Sequence, residues 1–411
     1  MGQEIADRRF STTDFERFAV QLDREMAALA GWVREARFSR RRAIGGLELE
    51  AWLVAPDGAP LPLNEVFLER AADPALVPEL AKFNIELNVA PQALAGGGLR
   101  RLEDELDDAW RKCGLVAAAM GATVVAIGIL PTVTDADLCP ANMSSLRRYA
   151  ALNEQVLRLR SGRPIRLDIV GRERLASEHM DVMLEAAATS FQIHLQVPLA
   201  GAVRYMNAAV VASAPTVAVG ANSPLLFGKL LWEETRIPLF EQAVDLGSPE
   251  RRVTFGSDYV RASLEECFRA NREHHPVLLP LAPEEPEGTL PHVRLHNGTI
   301  WRWNRPLIGF DPDGTPHLRV EHRPLPAGPT VLDMAANMAF FYGLVEWLVM
   351  EPHAPEHRLP FARAKQNFYA AARYGLAAHV DWYDGQRCRL GRLVLTTLLP
   401  HARKGLEALK V

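Results

Sequence analysis

Five short segments of this chain alternate apolar and polar residues, and their polar positions hold side chains that bind metals and anions. Gly46 to Val54 places Glu48 and Glu50 on one face, with Leu47, Leu49 and Leu53 on the other. Phe83 to Val89 sets Asn84, Glu86 and Asn88 against Phe83, Ile85, Leu87 and Val89. Thr189 to Val197 does the same with Ser190, Gln192, His194 and Gln196. His292 to His296 reads as a fourth segment, continuing through Asn297-Gly298 into Thr299 to Trp303. Leu318 to Arg323 gathers Arg319, Glu321 and Arg323. Successive side chains of a strand point to opposite faces, so each set shares a surface. Any one segment alone fits a sheet with a watery side. Together they hold few Lys, Thr or Ser and many Glu, His, Asn, Gln and Arg. Clustered carboxylates repel one another unless cations compensate. Oxygen donors with one imidazole suit magnesium or manganese, and nearby arginines suit phosphate or carboxylate. That combination describes a nucleotide-phosphate site for phosphoryl transfer.

The elements that must position these faces are helices around strands. Ser11 to Phe38 reads as a helix with Phe15, Phe18, Leu22, Met26 and Leu29 along one side. Further helices are expected over Glu103–Met120, Ser144–Leu159, Arg204–Val219, Lys229–Val244, Val331–Met350, Phe361–Tyr374 and Leu390–Leu409. Ala122 to Leu130 reads as a buried strand. Pro-rich loops occur at Pro276 to Pro291 and Pro324 to Pro329, and neither resembles an interdomain linker. Gly96-Gly97-Gly98 lacks the Lys-Ser or Lys-Thr of a phosphate loop and reads as a turn. Arg40-Arg41-Arg42 reads as a solvated helix end, without the interleaved aromatics of a single-strand nucleic-acid groove. Glu48 and Glu50 share a strand face, whereas a glycosidase pair must flank a sugar ring.

Composition excludes several classes. The 411 residues are 48% hydrophobic and 23% charged, which argues against disorder and fibrous rods. A net charge of -4 gives no pull toward nucleic acid or an anionic membrane. Cys113, Cys139, Cys267 and Cys388 are scattered, so reduced thiols are expected rather than a disulfide framework or zinc ribbon. The first residues are charged and lack a leader's apolar stretch, and Ala6 stands where a myristoylation motif needs Ser or Thr. Val331 to Met350 is the most membrane-like stretch, but Asp333, Asn337 and Glu346 interrupt it. A cytoplasmic protein is expected.

Several stretches carry a family resemblance. GLELEAWLV at Gly46, RYAALN at Arg148, FQIHLQV at Phe191, NSPLLFG at Asn222 and LRVEHRPLPAGPTVLDMAAN at Leu318 fall in order and at familiar spacing. They resemble the glutamate–cysteine ligase type 2 and carboxylate–amine ligase family, within the glutamine-synthetase-like superfamily. The resemblance implies an α+β fold: a curved antiparallel sheet forming a funnel, with helices on its outer face. It implies one ligase catalytic domain over residues 1–411, with an N-terminal helix and a helical part from about residue 331.

The resemblance also implies roles. Glu48, Glu50, Glu86, His194 and Glu321 become metal ligands. Glu79 is either a further acidic ligand or a helix-surface residue. Arg323 and Arg305 hold phosphate or a developing acyl phosphate. Arg236 contacts a substrate carboxylate or forms a surface pair with Glu233 or Glu234. Asn222 orients substrate or caps a turn. The implied cofactors are ATP and Mg2+, with Mn2+ an alternative. The implied partners are small molecules, glutamate and an amine, cysteine by default, in glutathione biosynthesis. No nucleic acid or membrane is implied, and a homodimer is left open.

The implied reaction is attack of a carboxylate on the terminal phosphorus of ATP, then displacement of phosphate from the acyl phosphate by an amine. Two departures bear on the amine. The family's Thr-Pro-Gln after the Glu86 strand is here Val89-Ala90-Pro91-Gln92, and Gln196 replaces a usual Gly. Trp301 and Trp303 either shape the amine pocket or pack on the core. The same chemistry on another amine or acid, and a non-catalytic binding protein on this fold, are the rival readings.

Overall fold

Where apolar and polar residues alternate, the chain builds one sheet with an oily back and a polar front. The computed structural model of the protein describes residues 10–248, 250–281, 285, 286 and 288–411. The leader and acylation readings rest on residues outside this set, as does part of the loop at 276–291. Seven strands form the main sheet: β1 (Ile44–Val54), β2 (Leu76–Pro78), β3 (Asn84–Ala93), β4 (Thr123–Val125), β5 (Phe191–Val197), β6 (Asn304–Phe310) and β7 (Pro316–His322). Their order is β6-β7-β5-β1-β3-β2, with β4 also paired to β1, and every pairing is antiparallel. The sheet curls into an antiparallel half-barrel with helices around it.

Register decides which side chains meet. Leu47 faces Ile193, Leu49 faces Phe191, and Val320 faces Leu195, all buried on the back of the sheet. Full burial of such a side chain contributes about 1.5–3 kcal/mol. The helices Ala202–Gly220 and Val331–Met350 belong to the same core. The second is apolar nearly all round, as a helix enclosed by protein must be. Among the described residues no helix is long and apolar enough to cross a membrane. The helix Val331–Met350 crosses Leu399–Leu409 so closely that a Cβ on Gly343 would lie 2.2 Å from the Ala402 carbonyl oxygen. Tyr342 of the same helix donates its hydroxyl to the His194 carbonyl at 2.9 Å, tying this layer to the strand that carries His194.

Helix starts follow local chemistry. Ser11 and Asp14 form a capping box ahead of Thr12–Arg34, and Thr330 caps Val331–Met350 through the Asp333 amide. All four cysteines are free.

Four expectations need correction. His292 to His296 is not a strand: Pro291–Gly298 is a helix. Pro291 occupies its first turn, and Val293, His296 and Asn297 bury at helical spacing. Lys229–Val244 is not one helix: it begins at Arg236, and Lys229–Leu230 pairs with Leu225–Leu226. Phe227 and Gly228 both take positive φ, the turn a tight hairpin requires. Of Ala122–Leu130, only Thr123–Val125 is strand. Arg40–Arg42 lie in the coil before β1 rather than at a helix end, and Arg41 and Arg42 face Asp311 and Glu346 at 3.4 and 3.8 Å.

Candidate functional site

Cross-strand register gathers the predicted polar residues on the front of the sheet. Arg305 lies opposite Glu321, and Glu321 opposite His194. Gln192 lies opposite Glu48, which lies opposite Asn88. Glu50 lies opposite Glu86. Glu79 follows β2 directly, in irregular backbone and not on a helix. Two groups of donor atoms result, Glu48–His194–Glu321 and Glu50–Glu79–Glu86, each with its donors within 4.8 Å of one another.

The first group is built around arginines. Arg305 grips Glu321 with two hydrogen bonds, at 2.7 and 3.1 Å, and its Nη1 donates to the carbonyls of Asn297 and Gly298. Arg323 adds a contact to Glu321 at 3.3 Å and donates to Gln192. Burial alone would raise the Glu321 carboxyl, but Arg305, Arg323 and His194 outweigh it and hold the carboxyl well below its usual range. Glu321 is therefore ionised and aimed before any ligand arrives. His194 Nε2 stands 3.6 Å from both Glu48 and Glu321 and has no hydrogen-bond partner. Glu48 Oε2 is also buried without one. Burial keeps the imidazole neutral, with Glu48 opposing that shift and Arg319 adding to it. Two orphaned donors beside an ionised carboxylate fit a divalent cation. His194 Nδ1 faces Arg319 at 3.3 Å. Binding through Nε2 puts the imidazole proton on Nδ1, so the Arg319 guanidinium must turn aside, and its Nε has no partner to hold it.

The second group has carboxylates at its centre and only peripheral cations. Glu50 accepts from the Ser190 amide at 2.7 Å and from Gln192 at 3.0 Å. Glu86 accepts from Asn88 at 2.8 Å. Burial, then the charge of Glu86, pushes Glu50 up to about 7. Burial and carboxylate neighbours also raise Glu79 and Glu86. Three crowded acids that resist ionisation are a donor set that a hard cation would complete.

Between Glu50, Glu79, Arg236 and Arg323 lies a small cleft of about 50 Å3. Phe240 and Trp303 also line it, with ring centroids 5.9 Å apart. Trp301 and Trp303 are both buried, so the core reading holds, although Trp303 also lines the cleft. Arg236 pairs with Glu234 at 3.1 Å, but both are buried, not at the surface. Its Nη2 donates to the carbonyls of Arg323 and Pro324 at 3.2 and 2.5 Å. Asn222 donates to the Ala327 carbonyl at 3.0 Å, and its amide donates to Glu234. Both residues brace the backbone behind Arg323. Arg305 pairs with Glu321 and main-chain oxygens.

Other residues of this surface were not nominated from sequence. Gln192, Arg319, Asn84 and Ser190 were visible on the polar faces, but no individual role was assigned to them. Glu185 was missed outright. It lines the cleft, and burial with the charge of Glu50 pushes it up to about 7. Its signal was a lone acid within the apolar run Val182-Met183-Leu184-Glu185-Ala186-Ala187.

Comparison with known proteins bears on the family and the fold. The profile of glutamate–cysteine ligase family 2 matches residues 44–409. A glutamate–cysteine ligase from Francisella tularensis, solved in complex with AMP, superposes with a TM-score of 0.53 at 12% identity, over 91% of this chain and 82% of that one. A bifunctional glutathione synthetase from Pasteurella multocida gives 0.51 at 13% identity, over 92% of this chain and 48% of that one. At such identities the likeness is one of fold. A search of curated proteins finds no significant match. The chain belongs to glutamate–cysteine ligase family 2, and so to the carboxylate–amine ligases.

Proposed function

We propose that the protein is a cytoplasmic, ATP-dependent ligase that joins the side-chain carboxylate of glutamate to an amine through an acyl phosphate. The observation that carries this reading is the pairing of two donor groups on one sheet face, with Arg323 beside both Glu321 and the cleft. Glu48, His194 and Glu321 would hold one divalent cation, and Glu50, Glu79 and Glu86 another. Cations bound there would offset the charge of a carboxylate approaching an ATP phosphate.

The chain's own residues do the rest. Glu321 is kept ionised by Arg305, so the first group needs no proton loss at that position when it loads. Arg323 has an unpartnered buried Nε, placed for a carboxylate or phosphate oxygen. Arg236 and Asn222 hold the backbone that carries it. Donors arranged before reaction need no reorganisation as charge develops, the main way such a site lowers a barrier. No covalent nucleophile is required.

The test is ADP release from ATP and Mg2+ with glutamate, with and without a panel of amines that includes cysteine. Amine-dependent ADP and a stoichiometric amide are expected. Absence of amine-dependent ADP across the panel would sink the ligase reading.

A further inference from the structure

We propose that the cleft takes a primary amine carrying no carboxylate, and that Glu185 binds its ammonium group. This rests on the ligase reading above and narrows its amine. Glu185 sits in the turn Met183–Ala187, just before β5. It belongs to neither donor group. Its Oε2 is sealed from solvent without a hydrogen-bond partner, and Glu185 has no ion pair among the described residues. A buried acceptor left unmade costs about 1–3 kcal/mol, more for a charged group, and a ligand donor would recover it. Three further unpartnered atoms line the same walls: Asn84 Nδ2, Ser190 Oγ and Arg323 Nε. Their residues are only 3%, 4% and 6% exposed, so the lining is a built polar site.

The charge of the missing group follows from its neighbours. Arg236 and Arg323 are the cations of the lining. Arg236 already faces Glu234 at 3.1 Å, and Arg323 faces Glu321 at 3.3 Å. In the ligase reading the unpartnered Nε of Arg323 receives the acid substrate. With cations balancing Glu50, Glu79 and Glu86, Glu185 remains the carboxyl of the lining whose buried oxygen has no hydrogen-bond partner. An alkylamine reaches the site mostly as its ammonium ion, since such groups titrate near 10; it gives one proton to Glu185, and the neutral nitrogen then displaces phosphate, with its second proton leaving on the phosphate. A carboxylate on the same small molecule would meet Glu185 and Glu50 with no uncommitted guanidinium to receive it. Like charges so placed discriminate against a ligand.

Two aromatic residues of the lining give the amine's hydrocarbon a surface. Trp303 donates its Nε1 to Glu241 at 2.9 Å, and with Phe240 it supplies the aromatic part of the lining. Aromatic carbon also tolerates a nearby ammonium better than a carboxylate.

Cysteamine and L-cysteine differ only by the carboxylate and make the matched test. With the full chain, ATP, Mg2+ and glutamate, kcat/KM for cysteamine should exceed that for cysteine by about tenfold or more. Glu185→Gln should raise the cysteamine KM about tenfold, Glu185→Asp should recover part of it, and the glutamate KM should move less than about twofold. Equal or better use of cysteine overturns the proposal, as does an unchanged cysteamine KM in the Gln variant. Calorimetric titration of cysteamine into the Mg2+-loaded protein reads binding without turnover. About tenfold weaker binding to Glu185→Gln is expected, and equal binding overturns the proposal. Glu185-dependent binding without ADP release would sink the ligase reading and leave this one standing. ADP release with cysteine but not cysteamine would do the reverse.

Discussion

The two donor groups lie on the same sheet a few residues apart, yet they store charge in opposite ways. Glu48–His194–Glu321 is set among Arg305, Arg319 and Arg323, and Glu321 is held ionised. Glu50–Glu79–Glu86 crowds three acids, and all three are shifted toward the protonated form. The first is preorganised by protein cations. The second waits for an external one. Identical residue types therefore behave differently because strand register puts arginine across from Glu321 and carboxylate across from Glu50.

Breaking the arginine-built side should have the largest effect. Glu321→Gln leaves Arg305 and Arg323 buried without their counter-charge, so unfolding free energy should fall by about 3–5 kcal/mol and turnover should vanish. Urea unfolding alongside the ADP assay checks both, and an unchanged midpoint would contradict the buttress. The carboxylate side should answer with the opposite sign. Burial and the charge of Glu86 lift the folded-state pKa of Glu50 from the usual 4.5 to about 7. The folded state then holds the extra proton between these values, so metal-free stability falls as pH rises from 4.5 to 7. The wild type should lose about 2–3 kcal/mol more than Glu50→Gln across that window, and Mn2+ should abolish the difference. Parallel pH curves would break the contrast. Glu86→Gln, by removing one crowded charge, should stabilise the metal-free protein by about 1 kcal/mol at neutral pH and cost most of the Mn2+-induced rise in melting temperature. Smallest should be Tyr342→Phe, which deletes one hydrogen bond to the His194 carbonyl, costing about 1 kcal/mol and weakening Mn2+ binding only slightly.

Much of this surface was readable in the sequence because strict alternation leaves little choice of face. Glu48, Glu50, Glu86, His194 and Glu321 all lie on those polar faces, and they fall into two donor groups, the second completed by Glu79. Alternation misled at His292 to His296, where five residues fit either period and Pro291 with the buried set Val293, His296 and Asn297 decided for helix. It was silent on Glu185, which lies in a turn with no period. It could not assign Arg305 either, since its commitment to Glu321 depends on the β6–β7 register, a pairing between separate segments. Nor could it tell that Arg236 and Glu234 pair inside the protein, because burial depends on what packs over them.

The most direct test of the central claim follows oxygen from the acid substrate. Glutamate labelled with 18O in its side-chain carboxyl is turned over with ATP, Mg2+ and cysteamine or cysteine, and the released phosphate is weighed by mass spectrometry. Activation of the carboxylate by ATP predicts one labelled oxygen in the phosphate for every amide formed. Amide formation with unlabelled phosphate would contradict it.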